Sequence, residues 1–225
     1  MSDIQQFRSV KSESHGRFQS RGSKFYAYLF PIEQLSELED RIHELKREYI
    51  KARHFCYAYR LLDNDEVQEY YSDAGEPGGS SGPPILAVLK QKELLNIACV
   101  VVRIFGGTKL GIPGLIEAYG QATLQSADDA LFITYQRVQN VRLNMPMKFQ
   151  PHLLNAIKRE GIEATDPEYT SRYEVTLSVP ATRANGHISN ILLQISDRDY
   201  DDLSDQLEYL DITLEELGEG LSERP

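Results

Sequence analysis

The side chains with the clearest chemical potential lie in two glycine-rich segments. The segment at 100–115 reads VVVRIFGGTKLGIPGL and predicts a buried strand, a glycine loop and the start of a helix. Such a junction presents free backbone N–H groups at the positive end of the helix dipole, where phosphate binds. Arg103 and Lys109 could add positive charge there. The alternative is a tight turn whose glycines only permit positive φ and close packing. Thr108 precedes Lys109, so the segment is not a Walker loop, and its glycine spacing does not fit a dinucleotide-binding motif.

The segment at 72–84, SDAGEPGGSSGPP, is too rich in glycine and proline for a helix or strand and predicts a loop. It carries two carboxylates, Asp73 and Glu76, that could meet a ligand. Two carboxylates are few for a metal site, and solvated acids are common in loops. We therefore predict neither a metal nor a cofactor.

Two patterns suggest a hydrolase as an alternative function. Residues 78–82 match the G-x-S-x-G string with Ser80 as nucleophile, but that motif should directly follow a strand, and a flexible stretch intervenes here. His54 and Cys56 would share one face of a strand and could form a nucleophile pair. A packed core thiol beside an edge histidine is the commoner arrangement. A small hydrolase using Ser80 or Cys56 thus remains an alternative hypothesis.

Periodicity supplies the elements that position these residues. In the first part of the chain we predict strands at 24–30, 55–62, 67–72 and 96–105, with Asp63, Asn64 and Asp65 forming a hairpin turn. Apolar residues at spacings of three and four predict a helix at 31–51. Further helices are predicted at 84–93 and 113–130.

A second unit is predicted to begin near Phe132. It contains strands at 135–145, 162–169, 171–180 and 209–215, with helices ending at Gly161 and spanning 184–195. This β-α-β-β-α-β order is the ferredoxin-like plan. We therefore predict an α+β protein with an N-terminal domain at 1–131, a ferredoxin-like C-terminal domain at 132–217 and a disordered tail at 218–225.

Charge is distributed unevenly along the 225 residues, whose formal net charge is −10. Residues 197–225 hold 11 acids and two bases, whereas the preceding residues are nearly balanced. This excludes a uniformly basic nucleic-acid coat protein but leaves room for a local anion site. No stretch is long and apolar enough to span a membrane. The N-terminal segment lacks the apolar core of a secretory signal, and the chain has only two cysteines, so we expect a cytoplasmic protein with reduced thiols.

The two glycine segments resemble one known family. SDAGEPGGSSGPPIL (72–86) and VVVRIFGGTKLGIPGLIEAY (100–119), preceded by His54-x-Cys56-x-Ala58, resemble the motifs of the translation-linked YigZ/IMPACT family. The chain departs from the pattern at Ala74, where an Asp is usual, at Ile104, where an aromatic is usual, and at Pro113, where a Gly is usual. The missing carboxylate at position 74 weakens any metal or acid–base role for the first segment.

The resemblance implies an N-terminal domain of the superfamily that contains elongation factor G domain IV and a ribosomal-protein domain. It also implies a C-terminal domain similar to domain V of that factor. We expect a non-enzymatic binder of RNA or of the ribosome that takes part in regulating translation. A protein-interaction module acting through the C-terminal sheet and the acidic segment is a further alternative. The predicted ligand- and phosphate-binding residues are His54, Asp73, Gly75, Glu76, Arg103, Gly106, Gly107, Thr108, Lys109 and Gly111.

Overall fold

The structure is a computed structural model that describes residues 4–63, 66–196 and 202–224. The chain divides into two compact units, Met1–Thr134 and Tyr135–Arg224. The predicted turn residues Asn64 and Asp65 and part of the acidic segment, 197–201, lie outside the described residues. Helices and strands occur in both units, which confirms the predicted α+β class.

The first unit is built on one antiparallel sheet. Its elements are β1 (Gln6–Val10), β2 (Ser14–Ser20), β3 (Ser23–Pro31), α1 (Leu35–Glu48), β4 (His54–Asp63), β5 (Glu66–Ser72), α2 (Gly82–Gln91), β6 (Ile97–Ile104) and α3 (Gly111–Asp128). The strand order is β2-β3-β6-β4-β5, with each neighbouring pair antiparallel. The central strand β6 is therefore the strand predicted at 96–105.

Both faces of this sheet are covered by helices. Alternate residues of β3, such as Phe25 and Leu29, enter a core closed by α2 and α3. Their neighbours, such as Tyr28 and Phe30, enter a second core closed by α1. Strand β6 serves both cores, which explains why its sequence is apolar at nearly every position.

Helix α1 starts later than predicted, because Pro31 belongs to β3 and pairs with Ile97. The helix begins at Leu35 with Gln34 as its N-cap. The Glu37 carboxylate accepts a hydrogen bond from the Gln34 backbone N–H at 3.1 Å, which forms a capping box.

The second unit packs three helices against its sheet. Its elements are β7 (Phe132–Pro146), α4 (Gln150–Glu160), β8 (Glu163–Tyr169), β9 (Arg172–Pro180), α5 (Ala184–Ile195), α6 (Leu203–Leu210) and β10 (Thr213–Arg224). Strand β9 lies between β8 and β7, and β10 pairs with β7. Inward residues of β7 and β9, including Leu143 and Leu177, form the core with α4 and α5.

Two predictions about the end of the chain were wrong. The strand predicted at 209–215 begins later, at Thr213, because residues 209 and 210 end helix α6, which Asp202 caps by accepting from the Asp205 N–H at 2.9 Å. Residues 218–224 continue strand β10 and do not form the predicted disordered tail. In the described part of the chain, no helix is long and apolar enough to cross a membrane.

Candidate functional site

A buried ion pair joins the two glycine segments. Arg103, near the end of β6, donates from Nη1 to both carboxylate oxygens of Glu76, at 2.7 and 3.0 Å. Glu76 lies in the loop between β5 and α2 (residues 73–81, the first loop). The side chains are only 7% and 3% exposed, respectively. An ion pair this deep is shielded from solvent, so removing either partner would leave the other charge buried and uncompensated.

Two further side chains extend this pair into a network. The Tyr119 hydroxyl of α3 donates to Glu76 Oε1 at 2.9 Å, and the Cys56 thiol of β4 donates to the Tyr119 hydroxyl at 3.3 Å. Cys56 also lies 3.1 Å from the Asp73 carbonyl. We call Cys56, Glu76, Arg103 and Tyr119 the Glu76 network. It holds together two strands, a loop and a helix.

Burial keeps the two weak acids of the network protonated. It raises the pKa of the Cys56 thiol to about 11. Burial also raises the pKa of Tyr119, with Cys56 and Glu76 adding to the effect. Both groups are therefore neutral hydrogen-bond donors near pH 7, and Cys56 is a poor nucleophile.

The Arg103 guanidinium is also packed between aromatic rings. It lies over the Phe25 ring at 5.6 Å and over the Phe105 ring at 5.4 Å. Among the described residues nothing hydrogen-bonds to its buried Nε, and the aromatic faces offset part of that loss. The predicted phosphate contact by Arg103 is therefore not favoured by this geometry, since Glu76 already neutralises its charge.

Asp73 organises the first loop and caps α2. Its Oδ1 accepts from the Ser81 and Gly82 N–H groups, each at 2.9 Å, and from the Ser81 hydroxyl at 2.7 Å. Its Oδ2 accepts from the Gly79 N–H at 2.8 Å. Burial opposes ionisation, but these bonds outweigh it and hold the pKa of Asp73 below its ordinary value. Since prolines follow Gly82 at the next two positions, α2 keeps few free N–H groups for an external anion.

The residues proposed for a hydrolase are poorly placed for catalysis. Ser80 is fully buried, and its hydroxyl donates to the Pro77 carbonyl at 2.6 Å. A nucleophile elbow instead exposes its serine. His54 Nδ1 lies 3.1 Å from the Ala74 carbonyl, while Cys56 bonds to Tyr119 and the Asp73 carbonyl. No three His, Cys, Asp or Glu side chains among the described residues are grouped so that they could hold a metal ion.

The loop between β6 and α3 (residues 105–110, the second loop) begins with a close backbone contact. The Gly106 N–H donates to the Ser23 hydroxyl at 3.1 Å. A methyl group at position 106 would lie 1.9 Å from the Gly22 carbonyl carbon, so only glycine fits. Gly107 and Gly111 have φ values of 87° and 73°, in the left-handed region.

Beyond Gly106 the second loop faces solvent. Gly107, Thr108 and Lys109 are exposed, and no described residue forms an ion pair with Lys109. Helix α3 begins at Gly111 with Leu110 as its N-cap, and no side chain of the described residues caps it. The N–H groups of Gly111 and Ile112 at the start of α3 are thus available to an anion, whereas Pro113 has none.

The predicted site residues therefore separate into two groups. His54, Asp73, Gly75, Glu76 and Arg103 lie together: His54 pairs with Arg103 across the sheet, and a methyl group at Gly75 would lie 3.6 Å from His54 Nδ1. Gly106, Gly107, Thr108, Lys109 and Gly111 form the exposed second loop and helix start. Sequence reasoning missed Tyr119, although a tyrosine on the buried face of a helix needs a partner for its hydroxyl.

Comparison with known proteins agrees with this architecture. The family model described as the Impact N-terminal domain matches residues 21–127, which include the Glu76 network and both loops. A solved crystal structure of a protein described only as hypothetical superposes with a TM-score of 0.61 at 20% identity, over 94% of this chain and 97% of its own. The fold and the two glycine motifs thus define the first unit as an Impact-type N-terminal domain.

One curated relative matches nearly the whole chain, and another matches about half of it. The IMPACT family member YvyE of Bacillus subtilis is 25% identical over 216 residues, 96% of this chain and 99% of its own length. An IMPACT family member of Haemophilus influenzae is 39% identical over 105 residues, 46% of this chain and 51% of its own length. Over its first unit the chain is thus similar to members of the YigZ/IMPACT family.

Proposed function

We propose that the first unit binds single-stranded RNA, free or on the ribosome, through the second loop, and that the protein takes part in regulating translation in the cytoplasm. The observation that carries the proposal is the exposed second loop, which leads into an uncapped helix start. The proposed role is binding and not catalysis. Ser80 and Cys56 are both fully buried, and the Cys56 thiol is neutral at pH 7.

The second loop combines the two contacts that single-stranded nucleic acid requires. Backbone N–H groups at the start of α3 and the Lys109 ammonium would receive a phosphate. Phe105, which is 55% exposed, offers a ring on which a base can stack. The Arg103 guanidinium also lies over the Phe105 ring, 5.4 Å from its centre. The Glu76 network therefore helps to hold this ring in place.

The wider architecture gives secondary support. We propose that the first unit is related to domain IV of elongation factor G and that the second is ferredoxin-like, similar to domain V of that factor. The element order of the second unit, β-α-β-β-α-α-β, and the arrangement β10-β7-β9-β8 agree with a ferredoxin-like plan carrying one extra helix. Fold similarity does not identify a ligand, so the loop remains the basis of the proposal.

The test is the affinity for a fluorescein-labelled single-stranded RNA, measured by anisotropy at roughly 50 and 200 mM salt. We expect Lys109→Ala to weaken binding and to lower the slope of log K against log salt by about one. Phe105→Ala should weaken binding by about 1–3 kcal/mol. The matched control is Lys158→Ala, which removes an exposed lysine from α4 of the second unit.

Two results would refute the phosphate contact. One is wild-type affinity that does not respond to salt. The other is an equal effect of Lys109→Ala and Lys158→Ala, which would show that only net charge matters. If Phe105→Ala loses binding and Lys109→Ala does not, the result supports the stacking contact and refutes the phosphate contact.

A further inference from the structure

A cavity lies on the α1 side of the first-unit sheet, on the face opposite to the Glu76 network. Its volume is about 420 Å³, within the range of small-molecule sites. It is lined by Glu13, His15, Gly16, Arg17, Tyr26, Tyr28, Arg41 and Glu48. Tyr26 and Tyr28 pack on the α1 side of the sheet, whereas Phe25, the residue before Tyr26, contacts Tyr119 on the other side. The cavity is therefore distinct from the Glu76 network.

Aromatic rings and guanidinium groups alternate along this cavity. Arg17 and Tyr26 are directly paired across β2 and β3, as are His15 and Tyr28. The Arg17 guanidinium lies 5.7 Å from the centre of the Tyr26 ring. Tyr49 of the loop after α1 backs the Tyr26 ring at 5.4 Å. An aromatic ring packed against Tyr49, with the exposed Arg17 guanidinium nearby, offers a surface on which a base can stack.

The two arginines of the cavity differ in what they can still bind. Arg41 donates two hydrogen bonds to Glu13, each of 2.7 Å, and a third to Glu44 at 2.9 Å. Arg17 is exposed, and its guanidinium forms no ion pair with any residue that the structure describes. Its positive charge is therefore available to an anionic ligand, whereas Arg41 serves to hold the wall of the cavity.

These features select the class of ligand. A cationic ligand is disfavoured because guanidinium groups already lie near the faces of Tyr26 and Tyr28. A purely apolar ligand would leave Arg17 unpaired. A planar ring that bears an anionic group satisfies both the tyrosine platform and Arg17. We propose that this cavity binds a nucleotide, with the base stacked on Tyr26 and the phosphate on Arg17, supplied either as a free mononucleotide or as one nucleotide of an RNA strand.

The test is titration with adenosine 5′-monophosphate, followed by calorimetry and by backbone amide NMR shifts. We expect shifts concentrated in β2, β3 and α1. Tyr26→Ala should weaken binding by roughly five- to 150-fold, the loss of one stacked base. Tyr26→Phe keeps the ring and should bind as the wild type does. Arg17→Gln should weaken the monophosphate but leave uncharged adenosine unchanged.

Several results would overturn this assignment. They are shifts confined to the second loop, wild-type affinity in a folded Tyr26→Ala variant, or equal binding of adenosine and its monophosphate. Lys109→Ala must not affect the monophosphate, so failure of the RNA contact at the second loop and failure of this cavity are distinguishable. A short oligoadenylate that competes more tightly than the monophosphate identifies an RNA strand as the source. Equal or weaker competition identifies the free nucleotide.

Discussion

Removing the charge of Glu76 tests whether the buried ion pair holds the first unit together. Glu76→Gln keeps the shape of the side chain, removes its charge and replaces one accepting oxygen by a donating NH2 group. Arg103 would then remain 7% exposed with no anionic partner. We expect a less stable first unit, because a buried guanidinium loses the carboxylate that offsets its desolvation.

The expected loss is about 3 kcal/mol. Removing one member of a buried ion pair typically costs about 3–5 kcal/mol. The lower end applies here because the glutamine oxygen can still accept one hydrogen bond, and the guanidinium keeps its contacts with Phe25 and Phe105. The control is Glu44→Gln, where a carboxylate that is 54% exposed pairs with Arg41. That change should cost at most about 1 kcal/mol.

Native-state hydrogen exchange is the suitable assay, because a chain with two units need not unfold in one step. Amides of the fully buried strand β6 report the opening of the first unit, and those of β9 report the second. Glu76→Gln should lower the protection of β6 and leave β9 unchanged.

A double-mutant cycle isolates the pair itself. Arg103→Met removes the cation and leaves Glu76 buried without it. The double variant should lose less stability than the two single variants together, by about 1–3 kcal/mol. Effects that add to within about 0.5 kcal/mol would refute the view that these two charges depend on each other.

Three further perturbations follow from the same geometry. Cys56 should resist a thiol reagent at about pH 8 in the folded protein and react in urea, since burial raises its pKa to about 11; rapid reaction of the native thiol would contradict this. Asp73→Ala should cost about 1–2 kcal/mol at pH 7 by removing the α2 cap. Because the pKa of Asp73 is depressed in the folded protein, this stabilisation is present above pH 3.8, the ordinary pKa. It should disappear as the pH falls through the lower pKa of the folded state. Urea titrations of the wild type and of Asp73→Ala from acid to neutral pH would show this. Gly106→Ala should cost about 1–3 kcal/mol in thermal unfolding because its methyl group meets backbone, whereas Gly78→Ala, with nothing within 4 Å, should be neutral; equal effects would refute the close-contact argument.

Local pattern was sufficient for most elements of the first unit. Strand β6 is apolar throughout because both of its faces are buried. Apolar residues recur at spacings of three and four in α1 because one face of the helix is buried. Strand β2 was missed because its buried positions are Ser14 and Gly16, which carry no hydrophobic signal. A methyl group at Gly16 would lie 2.1 Å from the Ala122 carbonyl, so the close packing of α3 requires a small residue there. That requirement exists only in the folded unit.

Helix α6 was missed for a related reason. Tyr209 favours a strand by propensity, but the Asp202 cap and the burial of Leu210 select a helix. The pairing of the charged residues with each other could not be read from the sequence either. Sequence showed that Glu76 and Arg103 lie near glycines, and it suggested that both face a ligand.

The sequence by itself determined where the backbone is unusual. Glycine and proline act through their own φ angles and missing groups, so the two loops could be located from residue type. Only the tertiary structure decided what the charged residues of those loops contact. Glu76 meets Arg103 27 residues away and Tyr119 43 residues away, because a buried carboxylate must find its donors wherever chain packing brings them. Chain packing thereby buries both side chains as an ion pair.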